Sequence, residues 1–207
     1  LDPTRIVSCS EGIREWVNEY PDYRGKRFFV VATLGNPCYG EMAGLRIEHD
    51  PDQLQACDGV ILGEGPYDWR KLQVAVINFL RRNPDAPFLV PNPDDVFKIQ
   101  NDDLYPGAGG IARFICRMVN TQGTCVEPIF LGKPYPTIFQ CCLHDLESRY
   151  QRAFEPSRIL MVGDSLTSDI AGAKGVGWQA ALILTGITHE GMISSGEISA
   201  DYIFRRL

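Results

Sequence analysis

Ile159-Leu160-Met161-Val162-Gly163-Asp164-Ser165-Leu166-Thr167-Ser168-Asp169-Ile170 is the stretch on which the fold turns. Four apolar residues in a row suit a buried strand, and Gly163 permits an unusual backbone angle where that strand ends. Asp164 then stands just past the strand end, and Asp169 in the first turn of a following helix. In open sheets of parallel strands, the ligand crevice lies beyond the strands' carboxyl ends. Two carboxylates delivered there suit a hard, oxygen-seeking cation such as Mg2+. The local alternative is that Asp169 merely favours a helix N-terminus while Ser168 or Asp164 caps it. The strand–Gly–Asp placement favours the metal.

The same alternation continues outward in both directions. Phe28–Ala32, Gly59–Gly63, Pro87–Val90 and Pro128–Leu131 read as strands upstream, and Ala180–Leu184 and Ala200–Phe204 downstream. Between them lie helical patterns. Glu11–Tyr20 begins with Ser10 at its N-cap position, and Tyr67–Arg82 sets Leu72, Val76, Phe79 and Leu80 on one face. Ile111, Phe114, Ile115 and Met118 form another stripe, and Phe139, Cys142, Leu143 and Leu146 a third. Strands alternating with helices imply βαβ units, a mostly parallel sheet and an α/β fold.

Composition narrows the function classes. With 207 residues, 44% of them hydrophobic, the chain has room for one large core or two modest ones. A net charge of −6 argues against nucleic acid as partner, because phosphate backbones call for basic stripes. The apolar runs are far too short to span a bilayer, and no secretory signal opens the chain. Seven cysteines, an odd number without a C-x-x-C pair, and three scattered histidines do not make a zinc site. They read as free thiols of a cytoplasmic protein, the vicinal Cys141-Cys142 included.

Two further stretches sit where chemistry is expected. Gly132-Lys133-Pro134 follows a strand and opens a helix, so Lys133 is placed to neutralise phosphate oxygens. Asn92-Pro93-Asp94 follows the strand ending at Val90. Gly107, Gly109 and Ala112 have the spacing of a dinucleotide fingerprint, but Gln100–Asp103 occupies the place of the required strand, which excludes that reading. These glycines are expected to make a tight helix entry whose free N–H groups face the crevice.

As an ordered set, Asn92-Pro93-Asp94, Pro106-Gly107-Ala108-Gly109, Gly132-Lys133-Pro134, Gly163-Asp164 through Asp169, Ala171 through Gly177 and Leu182 through Gly186 resemble the haloacid dehalogenase superfamily. The likeness is to its NagD-like phosphatases, and it runs from about Ile6 to Ile203. It implies a Rossmann-like core sheet with an inserted α/β cap: residues 1–8 connecting, 9–90 as cap, 91–207 as the C-terminal part of the core. It implies Mg2+-dependent hydrolysis of a small phosphorylated metabolite through an aspartyl-phosphate. Asp164 would ligate the metal, and Asp169 would serve the metal site from behind, orienting a water or Ser165. Lys133 would act catalytically with Asp169, and phosphate contacts would fall to Asn92, Lys133 and Ser165. Glu64, Tyr67 and Trp69 of the cap are candidates for substrate contact, the two aromatics equally for cap core. The resemblance also allows a homodimer through the cap.

The family's nucleophile motif, an apolar strand followed by D-x-D-G, is absent from the sequence. Asp58-Gly59 has its strand on the wrong side, and Asn92 carries an amide where a carboxylate is needed. The expectation is therefore that the chain is N-terminally incomplete, and that residues 1–207 alone show no more than trace activity. The alternative is a non-catalytic homologue that retains a metal or phosphate site.

Overall fold

The computed structural model describes residue 2 and residues 5–98, 103–121, 123–193 and 199–206. They fall into two compact units, Leu1–Gly132 and Lys133–Leu207.

The first unit holds β1 (Arg27–Val31), β2 (Arg46–Glu48), β3 (Gly59–Leu62), β4 (Phe88–Val90), β5 (Val96–Lys98), β6 (Leu104–Pro106) and β7 (Ile129–Phe130). Its longer helices are α1 (Gly12–Glu19), α3 (Trp69–Arg82) and α4 (Ala108–Asn120), with the short α2 (Tyr39–Met42) between β1 and β2. Five strands form one parallel sheet in the order β2-β1-β3-β4-β7, and β5 and β6 pair as an antiparallel ribbon. β3 and β4 are buried along their whole length. That explains why both read as unbroken apolar runs instead of alternating ones. Ile13, Trp16, Val17, Phe28, Val30, Ile61, Leu89 and Leu131 pack as a core cluster. Each such side chain, fully buried, contributes about 1.5–3 kcal/mol.

Local signals explain most element ends. Helical winding starts at Cys9, two residues before the expected Glu11, and the Glu11 carboxylate accepts from Ser8 N at 3.3 Å. α3 starts at Trp69 because Asp68 accepts from Lys71 N at 3.1 Å. In α4 the buried face is Ile111, Ala112, Ile115, Cys116 and Val119, whereas Phe114, expected in the stripe, is 45% exposed. The first compact unit runs on past Val90 to Gly132. Leu89 and Val90 pair with Ile129 and Phe130, so residues 91–132 complete the first unit's sheet.

The second unit holds α5 (Pro136–Tyr150), β8 (Leu160–Gly163), a wide helical turn at Leu166–Ile170, α6 (Ala171–Gly175), β9 (Gln179–Ile183) and β10 (Tyr202–Phe204). Its parallel sheet has the order β10-β9-β8. Trp178 meets Phe139 edge-on at 5.4 Å, and Ile138, Ile170, Ala173 and Leu182 are buried in the same unit. Gly172 lies against that ring, where a Cβ would come within 2.4 Å. Among the described residues β8 has a free edge, with Leu160 46% and Val162 44% exposed. No helix among the described residues is long and apolar enough to cross a membrane.

Candidate active site

The second unit assembles its polar cluster at the carboxyl end of β8. Gly163 closes the strand, Asp164 follows, and the chain winds through Leu166–Ile170 before entering α6. Gly163 is needed here for space. A Cβ would lie 2.4 Å from Asp169 Cγ, and Gly163 is not among the residues with positive φ, so the expected backbone-angle reason is replaced by close approach.

Asp169 organises the cluster. Its side chain is 5% exposed, and Oδ1 receives the Lys133 ammonium at 2.5 Å. Oδ2 accepts from Asp164 N at 3.1 Å and Ser165 N at 3.2 Å. A carboxylate this buried needs both countercharge and donors, and it has them. Lys133 is half exposed and has N–H groups beyond the one directed at Asp169.

Asp164 is held from the loop after β9. Ile187 N donates to Asp164 Oδ2 at 2.9 Å, Thr188 N to Asp164 O at 3.0 Å, and Leu166 N to Thr188 Oγ1 at 3.2 Å. Thr188 is 2% exposed. Gly186 is again a matter of space, since a Cβ there would stand 1.8 Å from Asp164 Oδ2. Sequence reading missed Ile187 and Thr188. A main-chain donor has no residue-type signature, and a threonine beyond a strand end is too common to single out.

The structure thus brings Lys133, Asp164, Ser165 and Asp169 together within one unit. Ser165 is buried, and its Oγ accepts from Ser168 N at 3.2 Å, so its hydroxyl caps the turn. Asn92 lies in the first unit, where Nδ2 donates to Glu64 Oε1 at 2.9 Å and Oδ1 accepts from Asp94 N at 3.1 Å. The strand before Lys133, β7, belongs to the first unit's sheet and not to that of β8. Against the expectation from the sequence of free N–H groups opening α4, these groups are bonded. Gly107 N and Gly109 N donate to the Asp95 and Asp94 carbonyls at 2.8 and 3.0 Å, and Ala108 N donates to Glu64 Oε1 at 3.1 Å.

As a metal site the cluster is partial. Among the described residues no three His, Cys, Asp or Glu side chains group to hold an ion. Asp169 has both oxygens engaged, whereas Oδ1 of Asp164 carries no hydrogen bond among the described residues. That donor set fits Mg2+ in the mode in which one or two carboxylates anchor it, and phosphate oxygens and waters complete the octahedron.

Residues 130–207 match the HAD-hydrolase-like family. The acid sugar phosphatase of Staphylococcus epidermidis is 31% identical over 206 residues, 99% of this chain and 71% of that protein. Mouse chronophin is 28% identical over 177 residues, 85% of this chain and 56% of chronophin. The chain therefore spans little more than half the length of chronophin and of several other curated relatives. Among solved structures, the p-nitrophenyl phosphatase of Archaeoglobus fulgidus superposes with a TM-score of 0.77 at 25% identity, covering 97% of this chain and 71% of that one.

Proposed function

The chain belongs to the haloacid dehalogenase-like phosphatases, and on that premise we propose that it forms the phosphate- and metal-holding part of a phosphomonoester hydrolase. One observation carries the reading: the buried Asp169 carboxylate binds Lys133 through one oxygen and the Asp164 and Ser165 amides through the other. An ammonium so fixed presents positive charge at a set point, which serves a dianionic phosphoryl group better than a mobile surface lysine would. Asp169 is then a positioning residue for Lys133 and for the backbone that carries Asp164. Asp164 Oδ1 would hold Mg2+, which when bound supplies charge neutralisation and alignment for the phosphoryl oxygens.

In the whole protein an aspartate carboxylate attacks phosphorus in line, and the bond from phosphorus to the alcohol oxygen breaks. An acyl-phosphate remains on the aspartate. Water then attacks that phosphorus, releasing inorganic phosphate and the free carboxylate. Lys133 holds non-bridging oxygens through both steps. We place the nucleophile on a strand paired with the free edge of β8, a reading supported by the exposure of Leu160 and Val162. The proposed substrate is a small phosphorylated metabolite, in keeping with the acid sugar phosphatase among the relatives. A cytoplasmic setting accords with seven cysteines that form no disulfide. A homodimer through the first unit accords with its exposed ribbon, where Phe97 stacks on Tyr105 at 6.0 Å.

The test is hydrolysis of an aryl phosphate by the whole protein, with and without Mg2+. Turnover should require the metal and fall about a hundredfold or more in Asp164→Asn and in Lys133→Ala. Residues 1–207 alone should show only trace activity. Unchanged turnover in Asp164→Asn, or robust turnover by residues 1–207, would overturn the assignment. Inactivity of the whole protein would favour a homologue that keeps the site for binding alone.

A further inference from the structure

The first unit has a crevice of about 170 Å3 lined by its own residues alone. Thr33, Leu34, Tyr39, Leu62, Glu64 and Asn92 are among its lining residues. Its place in the fold is telling. Counted within the five-stranded sheet, the strand order is 2-1-3-4-5, so the winding reverses between β1 and β3. In doubly wound sheets ligands bind at the carboxyl ends of the strands at such a reversal. Thr33 and Leu34 lie just past β1, and Leu62 and Glu64 at the end of β3.

The backbone at this reversal is unusually constrained. Ala32 has φ +62°, a left-handed conformation that costs a non-glycine residue about 1–2 kcal/mol and clusters at ligand sites. Thr33 and Glu64 exchange two main-chain hydrogen bonds, at 3.3 and 3.2 Å. The two segments approach so closely that a Cβ on Gly63 would stand 2.0 Å from Thr33 O.

Charge names the occupant. Both hydrogen bonds to Glu64, from Asn92 Nδ2 and Ala108 N, fall on Oε1. Oε2 has no partner among the described residues, and no Lys, Arg or His lines the crevice. Burial pushes the Cys9 thiol up, and the Glu64 and Asp94 carboxylates push it the same way, so this lining residue feels their negative field. A carboxylate with one unbonded oxygen and no Lys, Arg or His among the lining residues, together with the apolar Leu34, Leu62 and Tyr39 of that lining, suits a cation that brings its own N–H donors. The volume is below the roughly 300–1,000 Å3 of sites for drug-sized ligands, so the occupant is small.

We propose that this crevice binds a small organic ammonium, its N–H groups on Glu64 and its apolar body against Leu34, Leu62 and Tyr39. The site does not depend on the phosphoryl-transfer reading.

The test is a titration of the isotope-labelled chain with benzylammonium, followed by amide NMR, with benzyl alcohol as the uncharged isostere. Saturable shifts at Gly35, Gly63 and Glu64 are expected, with the alcohol binding about tenfold more weakly or worse. Glu64→Gln, which keeps an oxygen for Asn92 and Ala108, should weaken the ammonium by a similar factor at unchanged melting temperature. Absence of saturation, equal affinity for amine and alcohol, or full affinity in a folded Glu64→Gln chain would each overturn the proposal. The amine–alcohol comparison on the unaltered chain decides the matter even if the variant fails to fold.

Discussion

Asp169→Ala and Lys133→Ala should destabilise the second unit unequally, and the inequality tests how the site is built. Asp169 serves three donors, two of them main-chain amides. Removing it strands those amides in a tight turn at about 1–3 kcal/mol per unsatisfied group. Asp164 N is only partly buried and can recruit water, which brings the expected total to about 3 kcal/mol. Lys133→Ala leaves Asp169 buried but still holding both amides. Breaking a fully buried pair costs about 3–5 kcal/mol. The lysine side chain, however, is 46% exposed, so solvent screens it and about 1–2 kcal/mol is expected. Urea unfolding followed through fluorine-labelled Trp178, the tryptophan of the second unit, reads this difference. In the double-mutant cycle the two residues should couple by about 1 kcal/mol. If Lys133→Ala proved as costly as Asp169→Ala, charge pairing and not the amide bonds would be holding the turn. A coupling of zero would mean that the pair does not form in solution.

Three other outcomes follow from the same geometry. Gly186→Ala should fold, because Gly186 has no positive φ, yet its new methyl would displace the Asp164 carboxylate 1.8 Å away; in the whole protein the Mg2+ concentration for half-maximal turnover should rise about tenfold. Cys57 and Cys116, whose thiols burial pushes up to about 11 and about 12, should be alkylated slowly at pH 8, where roughly 0.1% or less is thiolate, and mass mapping should find exposed Cys125 modified first. Asp201 is held below the ordinary carboxylate range by its hydrogen bond from Lys174 and by Ala180 N. Its stabilising contribution is therefore present above the unfolded carboxylate pKa and is lost as pH falls through the lower folded value. Carboxyl NMR titration should show its pKa rise in Lys174→Ala, and an unchanged pKa would refute the pairing.

Strands buried along their length, such as Gly59–Leu62 and Phe88–Val90, were legible in the sequence because parallel sheets bury both faces of a strand. So was the Gly163-Asp164 strand end, because apolar run, glycine and carboxylate occur in the order a crevice needs. The pairing of Val90 with Phe130 was not, because strand order between segments distant in sequence leaves no local signature. Phe114 has the right helical spacing but points away from the core, since periodicity fixes a stripe and not its width. The support of Asp164 by Ile187 N was illegible in principle, because every residue but proline carries the same donor. The glycines at the start of α4 were found, but their purpose was not. They let residues 93–95 lie against the helix start, with a Cβ on Gly109 only 1.9 Å from Pro93 O.

On the proposed reading, Lys133, Asp164 and Asp169 serve phosphoryl transfer to an aspartate. The most direct test is acid quenching of the whole protein during turnover of a phosphorus-labelled aryl phosphate, followed by peptide mapping. One hydroxylamine-labile acyl-phosphate on an aspartate at a strand end is expected, formed only with Mg2+ and greatly reduced in Lys133→Ala. Label on Asp58 or Asp94, or brisk Mg2+-dependent turnover with no acyl-phosphate at any time point, would contradict it.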